Sequence, residues 1–199
     1  QDDNVNFHKG RYFHQLILEP EKAQETKFVE VSSRNTKAYK EQATNGIIML
    51  DKEGQEIRDC VQAMMGNLPF FEGIRSEGVQ YEVPSIKLIK GMLWKGKADI
   101  VCKDKLIDLK TTSNIADFKW SARKYNYDSQ CYIYQQLFGL PLEFYVVDKT
   151  NMQLGIYRPS EEFLQRGEEK VERAISVYKK FFQEESKFDI NEYYVEDIL

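Results

Sequence analysis

The chain has 199 residues, is 42% hydrophobic and 30% charged, and carries a formal net charge of −4. That length fits one domain with a sizeable core, and the longest apolar runs, such as Gly46 to Leu50, are too short to span a membrane. The negative balance excludes a protein coated in basic surface, though not a nucleic-acid enzyme with a local basic groove. Cys60, Cys102 and Cys131 have no CxxC spacing, which points to free thiols in a reducing compartment. Three cysteines also cannot build a four-cysteine zinc site or cluster from this chain alone. The first residues, QDDNVNFHKG, lack the apolar stretch of a signal peptide, and a start at Gln1 is expected of a trimmed or partial chain.

In chain order, Lys9 to Leu18 reads as a short helix with Phe13, Leu16 and Ile17 on one face and Pro20 beyond its end. Helices are expected at about Thr36 to Ala43 and Lys52 to Met65, and Asn67-Leu68-Pro69 is expected to break the chain. The period then changes. Strands are expected at Val79 to Val83, Ile86 to Ile89, Met92 to Cys102 and Leu106 to Thr111. A helix from about Asp128 to Phe138 stops at Gly139 and Pro141. Strands at Leu142 to Val147 and Met152 to Tyr157 precede a long helix from Ser160, a plausible N-cap, to Phe182. This order predicts a mixed α/β fold with a central mixed sheet flanked by helices. With no repeat and no linker, one domain is expected over 1–199: a helical part at about 9–75, an α/β core at 76–182 and a tail at 183–199.

The informative stretch is GKADIVCKDKLIDLKTT, Gly96 to Thr112. With Lys103-Asp104 as a two-residue turn, Ile100 opposes Ile107 and Asp99 opposes Asp108. Opposed residues share a face, and Lys110 lies on the face of Asp108. Ile107 and Leu109 then point into the core. Two aspartates facing each other repel, and a divalent cation between them removes the conflict. Oxygen ligands on a hard cation suit Mg²⁺ or Mn²⁺. A lysine on the same face can orient or deprotonate a water, or offset charge on a phosphate. The bland alternative is a solvated strand face that happens to carry charges, and a one-residue slip would undo the pairing.

The runs GKADIV and IDLKTT, with Gln130-Cys-Tyr-Ile-Tyr134 on the following helix, resemble the RecB-type branch of the PD-(D/E)XK nucleases, and RecE-like (exonuclease VIII type) phage and prophage exonucleases in particular, with lambda exonuclease more distant. Asp99 matches the first acid of the motif, Asp108 the second, Lys110 the lysine, and Gln130 and Tyr134 a Q-x-x-x-Y motif. Gly10 to Pro20, GRYFHQLILEP, resembles the family's G-x-x-x-H-x-x-L-x-E-P helix, which implies that His14 is a further metal ligand. Without the resemblance, a lone His in an amphipathic helix is more often packed or exposed. The Ile107 backbone carbonyl is a further candidate ligand, and so is Glu82, with Glu77 its competitor. A His ligand suits Mn²⁺ better than Mg²⁺.

The resemblance implies a metal-dependent exonuclease in the cytoplasm of a bacterial or phage-infected cell. It would act 5′-to-3′ on linear duplex DNA and leave single-stranded tails for recombination, as a homo-oligomeric ring with a single-strand annealing recombinase as partner. Two rivals stand beside it: an endonuclease of restriction or repair type, and a non-catalytic DNA-binding module on a decayed nuclease fold.

Gln130 and Tyr134 share a helix face and are expected to point at the site, positioning a DNA backbone or a water. Trp120, Arg123, Lys124, Tyr125 and Tyr127 form an aromatic and basic stretch that either holds DNA or is a surface loop with buried aromatics. Arg34, Lys37 and Lys40 are weaker DNA candidates, on a helix that would otherwise be a solvated face. Gly91 to Lys97 mimics a phosphate-binding loop, but Ala98 and a strand follow where Ser or Thr and a helix are needed, so no nucleotide cofactor is expected.

Overall fold

The computed structural model describes residues 4–182. The first helix, α1 (Val5–Leu18), begins where the Asn4 side chain accepts the Asn6 N–H at 2.8 Å, and it buries Tyr12, Phe13, Ile17 and Leu18. Pro20 cannot continue it and instead opens a short second helix, α2 (Pro20–Ala23). A small parallel pair, β1 (Phe28–Val29) and β2 (Met49–Leu50), brackets α3 (Lys37–Gln42). Next, α4 (Asp51–Gly66) starts where the Glu53 carboxylate accepts the Leu50 N–H, and its Ile57, Cys60 and Met64 lie buried on one stripe. Pro69 was expected only to break the chain. It sits in the first turn of another helix, α5 (Leu68–Ile74), where its missing N–H has no partner to lose.

The main sheet has strand order β3-β4-β5-β6-β7: β3 (Gln80–Ile89), β4 (Met92–Val101), β5 (Leu106–Thr112), β6 (Leu142–Asp148) and β7 (Leu154–Tyr157). All neighbours are antiparallel except β5 and β6, which are parallel and joined through α6 (Phe118–Lys124) and α7 (Tyr127–Phe138). The two stretches expected as separate strands at 79–83 and 86–89 form one long β3. Lys90 and Gly91, with φ of 49° and 76°, supply the left-handed turn that closes its hairpin with β4. The outer face of this hairpin leaves Ile86, Leu88 and Leu93 exposed.

Every residue of β6 is buried, and its side chains alternate between two cores. Tyr145 and Val147 join Ile107 and Leu109 against α1, α4 and α5; Leu142, Phe144 and Val146 join Leu106 against α6 and α7. The last helix, α8 (Glu161–Phe182), begins where Ser160 Oγ accepts the Phe163 N–H, and it packs on α7. That contact is held by buried Asp128, which meets Lys170 Nζ at 2.8 Å. The expected tail at 183–199 lies outside the described residues. No described helix is long and apolar enough to cross a membrane.

Gly167 is where α8 comes nearest α7: a Cβ there would lie 2.1 Å from the Asp128 carbonyl oxygen, a backbone atom that cannot yield cheaply. Gly167→Ala should therefore destabilise the protein by about 1–3 kcal/mol, read from its denaturant midpoint. An unchanged midpoint would show that the two helices are not in such close contact.

Candidate active site

The β4–β5 register is the one expected: Ile100 opposes Ile107 and Val101 opposes Leu106, with the Cys102 N–H bonded to the Lys105 carbonyl across Lys103-Asp104. The ladder ends just short of Asp99 and Asp108. The Asp99 carboxylate takes over there: its Oδ2 accepts the Leu109 N–H at 2.8 Å, the place a strand carbonyl would fill. On the other side of β4 the pairing runs Tyr81↔Ile100 and then Val83↔Ala98, omitting Glu82 and Asp99. Glu82 has φ 53°, a left-handed conformation that costs a non-glycine residue about 1–2 kcal/mol. The strand pair is thus distorted on both sides of Asp99.

The same Asp99 Oδ2 lies 3.1 Å from His14 Nε2, bridging 85 positions of sequence. His14 Nδ1 is 2.8 Å from the Gly10 carbonyl, which can only accept, so Nδ1 carries a proton. Nε2 then either carries a second proton toward Asp99 or presents its lone pair to a cation in that position. Burial opposes the charged ring, but the hydrogen bond and charge of Asp99 prevail and raise the His14 pKa to about 9. Burial likewise opposes the Asp99 carboxylate, and His14, Lys110 and the Leu109 N–H outweigh it, so its pKa is lowered.

Asp108 is 4% exposed. Its Oδ1 accepts from Gln130 Nε2 at 2.7 Å. Its Oδ2 is 2.6 Å from Lys110 Nζ, yet the angles there make no hydrogen bond, so a buried acceptor is left without one. The contact is a charge pair, and the acceptor is unsatisfied. Burial raises the Asp108 pKa, Lys110 works against it, and the charge of Asp99 adds to the rise. Lys110 is held charged despite burial, chiefly by Asp108. Its ammonium also lies 4.7 Å from the centre of the Tyr127 ring.

Among the described residues no three His, Cys, Asp or Glu side chains are drawn together tightly enough to hold a metal ion. The expected set is present as two halves, His14 with Asp99 and Asp108 with Lys110 and Gln130. The unsatisfied Asp108 oxygen, and His14 Nε2 once a cation displaces its proton, fit a divalent cation. Ile107 sends its side chain into the core and offers only its carbonyl. Glu82 forms its ion pair with Lys97, on the neighbouring strand.

Tyr134 departs from expectation. Its hydroxyl donates to the Lys97 carbonyl at 3.0 Å, so it fixes the β4 backbone two residues before Asp99. Gly96 permits this approach, since a Cβ there would lie 3.2 Å from the Tyr134 ring and 2.8 Å from Leu137. The basic stretch is not a loop but contains α6, with Trp120 and Tyr125 well exposed. Arg123 lies over the Trp120 ring and Lys124 over that of Tyr125. Tyr125 in turn neighbours Tyr127 at 6.1 Å, so an aromatic line runs from the surface to Lys110. Tyr127, read in the sequence only as part of that stretch, opens the helix that carries Gln130 and brings its ring to Lys110. Arg34 precedes α3 and is committed to Glu53, whereas Lys37 makes only a solvent-exposed contact of 3.8 Å with Glu41.

A mixed sheet with helices on both faces, and an acid, a second acid and a lysine on adjacent strands, defines the PD-(D/E)XK superfamily. Residues 1–192 match the model of the family described as a PDDEXK-like domain of unknown function (DUF3799), and the chain belongs to it. The fold is shared with a solved structure named "Putative exonuclease" from Eubacterium rectale: TM-score 0.66 and 18% identity, covering 89% of this chain and 67% of that one. A second solved structure, SSO0001, is 13% identical over 82% of this chain and 85% of its own, with a TM-score of 0.35 too low to bear on the fold. No curated protein matches.

His14 gives the metal-free protein a testable pH dependence. Its folded pKa of about 9 exceeds the ordinary 6.5, so its contribution is complete below 6.5 and is lost as pH rises through 9. Asp99, with a lowered pKa, acts oppositely and loses its contribution only under acid conditions. Stability measured without metal should fall between pH 6.5 and 9, and His14→Gln should flatten that slope. A slope unchanged in the variant would show that the His14–Asp99 contact is absent in solution.

Proposed function

We propose that this chain is a metal-dependent deoxyribonuclease that removes nucleotides from DNA ends. The observation that carries the reading is the meeting, where the β4–β5 ladder ends, of His14 with Asp99 and of Asp108 with Lys110 and Gln130. His14, Asp99 and Asp108 would hold Mg²⁺ or Mn²⁺, with the Ile107 carbonyl in support and Glu82 within one strand of the site. A bound divalent cation neutralises phosphate charge and makes a water nucleophilic at neutral pH. Lys110, charged beside Asp108, orients that water and offsets charge on the scissile phosphate; it does not take the proton. Gln130 fixes the Asp108 carboxylate, and Tyr134 is a positioning residue acting through the β4 backbone.

DNA would approach along α6. Trp120 and Tyr125 offer exposed ring faces, and Arg123 and Lys124 offer charge to phosphates. The fold shared with the exonuclease-named structure favours attack at ends. Polarity from 5′ to 3′, a ring-shaped homo-oligomer and an annealing-recombinase partner belong to the same reading and rest on the motif resemblance.

Asp108→Ala and Lys110→Ala should each lower Mn²⁺-dependent digestion of linear duplex by about 10²–10⁴-fold, with the fold intact by circular dichroism. Near-parental activity in either variant would sink the site assignment. Supercoiled circular DNA should survive the parent protein; its cleavage would establish an endonuclease instead. Charge reversal of Arg123 and Lys124 should weaken duplex binding without regard to sequence and reduce its salt dependence, leaving metal affinity unchanged. Equal binding across a salt titration would remove α6 from the DNA path.

A further inference from the structure

A cavity of about 260 Å³ lies between α6, the end of β7 and the start of α8. Its inner end is aromatic. Phe118 and Phe144 are buried there, and the Tyr157 ring lies 4.6 Å from that of Phe118. Phe163 forms a side wall and carries the Arg166 guanidinium over its ring at 5.7 Å.

Its rim has more positive charge than local carboxylates can neutralise. Arg158 meets Glu143 at 2.6 Å, but that carboxylate already serves Lys105 at 2.9 Å. Arg166 is 3.9 Å from Asp128, which is engaged more closely by Lys170, and its Nε is buried without a hydrogen-bond partner. Its contact with Glu162, at 3.8 Å, involves a side chain that is 80% exposed. Lys119 makes no ion pair among the described residues. A simple anion would have no use for the aromatic end, and a neutral ring would have none for the cations. A planar base joined to a phosphate uses both.

We propose that this cavity binds one nucleotide unit outside the catalytic centre, its base against Phe118, Tyr157 and Phe163 and its phosphate at Arg158, Arg166 and Lys119. The site is continuous with the rest of the molecule's proposed DNA surface, because Arg123 lines both the cavity and α6. Phe144 forms part of its inner wall and lies 6.0 Å from Lys110 Nζ, so one aromatic layer divides the cavity from the catalytic lysine. The inference deepens the nuclease reading but is tested apart from it.

The test is calorimetry on the full chain in chelator, with dAMP as probe and deoxyadenosine, inorganic phosphate and a deoxytrinucleotide as comparators. Saturable dAMP binding is expected, with deoxyadenosine and phosphate each weaker by about tenfold or more. Phe163→Ala and Arg158→Gln should each weaken dAMP by about tenfold, and Lys110→Ala should leave it unchanged. Lys119→Gln, at an exposed side chain that cannot threaten the fold, should weaken it less but measurably. A trinucleotide bound more tightly than dAMP through the same side chains identifies a strand as the source, and one bound more weakly identifies free nucleotide; both support the pocket. No saturation, phosphate binding equal to dAMP, or parental affinity in these variants overturns the proposal. Loss of dAMP binding in Lys110→Ala also overturns it, by moving the nucleotide to the catalytic centre and leaving the nuclease reading standing. Nucleotide binding here in a protein that cleaves no DNA would reverse that outcome: the pocket would stand and the nuclease reading would fall.

Discussion

One carboxylate oxygen organises the site. Asp99 Oδ2 accepts the Leu109 N–H, which the sheet would otherwise pair with backbone, and faces His14 Nε2 at the same time. The first contact stops the β4–β5 ladder and frees the face where Asp108 and Lys110 stand. The second ties α1 to the sheet, so that a helix from the start of the chain and a hairpin from its middle meet at one point. An apolar residue at Asp99 would leave the Leu109 N–H without its acceptor and remove the charge that holds the buried His14 imidazole protonated.

The second half of the site depends on a helix held from behind. Gln130 reaches Asp108 and Tyr134 grips Lys97, so α7 touches both strands that carry acids. Gly96 allows that approach on one side, and Gly167 allows α8 to close on the other. Asp128, two residues before Gln130, is buried and anchored by Lys170 of α8. The position of a side chain in the site therefore passes through two small residues and one buried ion pair outside it.

Much of this was legible in the sequence, and for identifiable reasons. The two-residue turn and the apolar pair Ile100 and Ile107 fixed the hairpin register, because a slip would have turned both out of the core. The strands and longer helices follow from period, and Ser160 from capping chemistry. The end of the ladder at Asp99 was not legible, since local pattern does not reveal that a side chain will replace a carbonyl. Pro69 was read as punctuation because proline breaks and starts helices with the same residue type, and only the packing of Phe70 and Ile74 decides between them. The motif spacing put Tyr134 on the helix face of Gln130, but its partner, a backbone carbonyl, carries no sequence signal. Arg34 showed charge without showing that Glu53 would neutralise it.

The distortion at Glu82 lies on β3, an edge strand of the main sheet. A long, straight edge presents unpaired N–H and C=O groups to any passing chain, and so acts as a template for aggregation. The left-handed residue bends that template, and Pro84 two positions later has no N–H to offer it. A repair of the bend that regularised the strand would thus do more than shift Asp99. It would lengthen a sticky edge beside exposed Ile86 and Leu88, and the loss would be felt first as solubility.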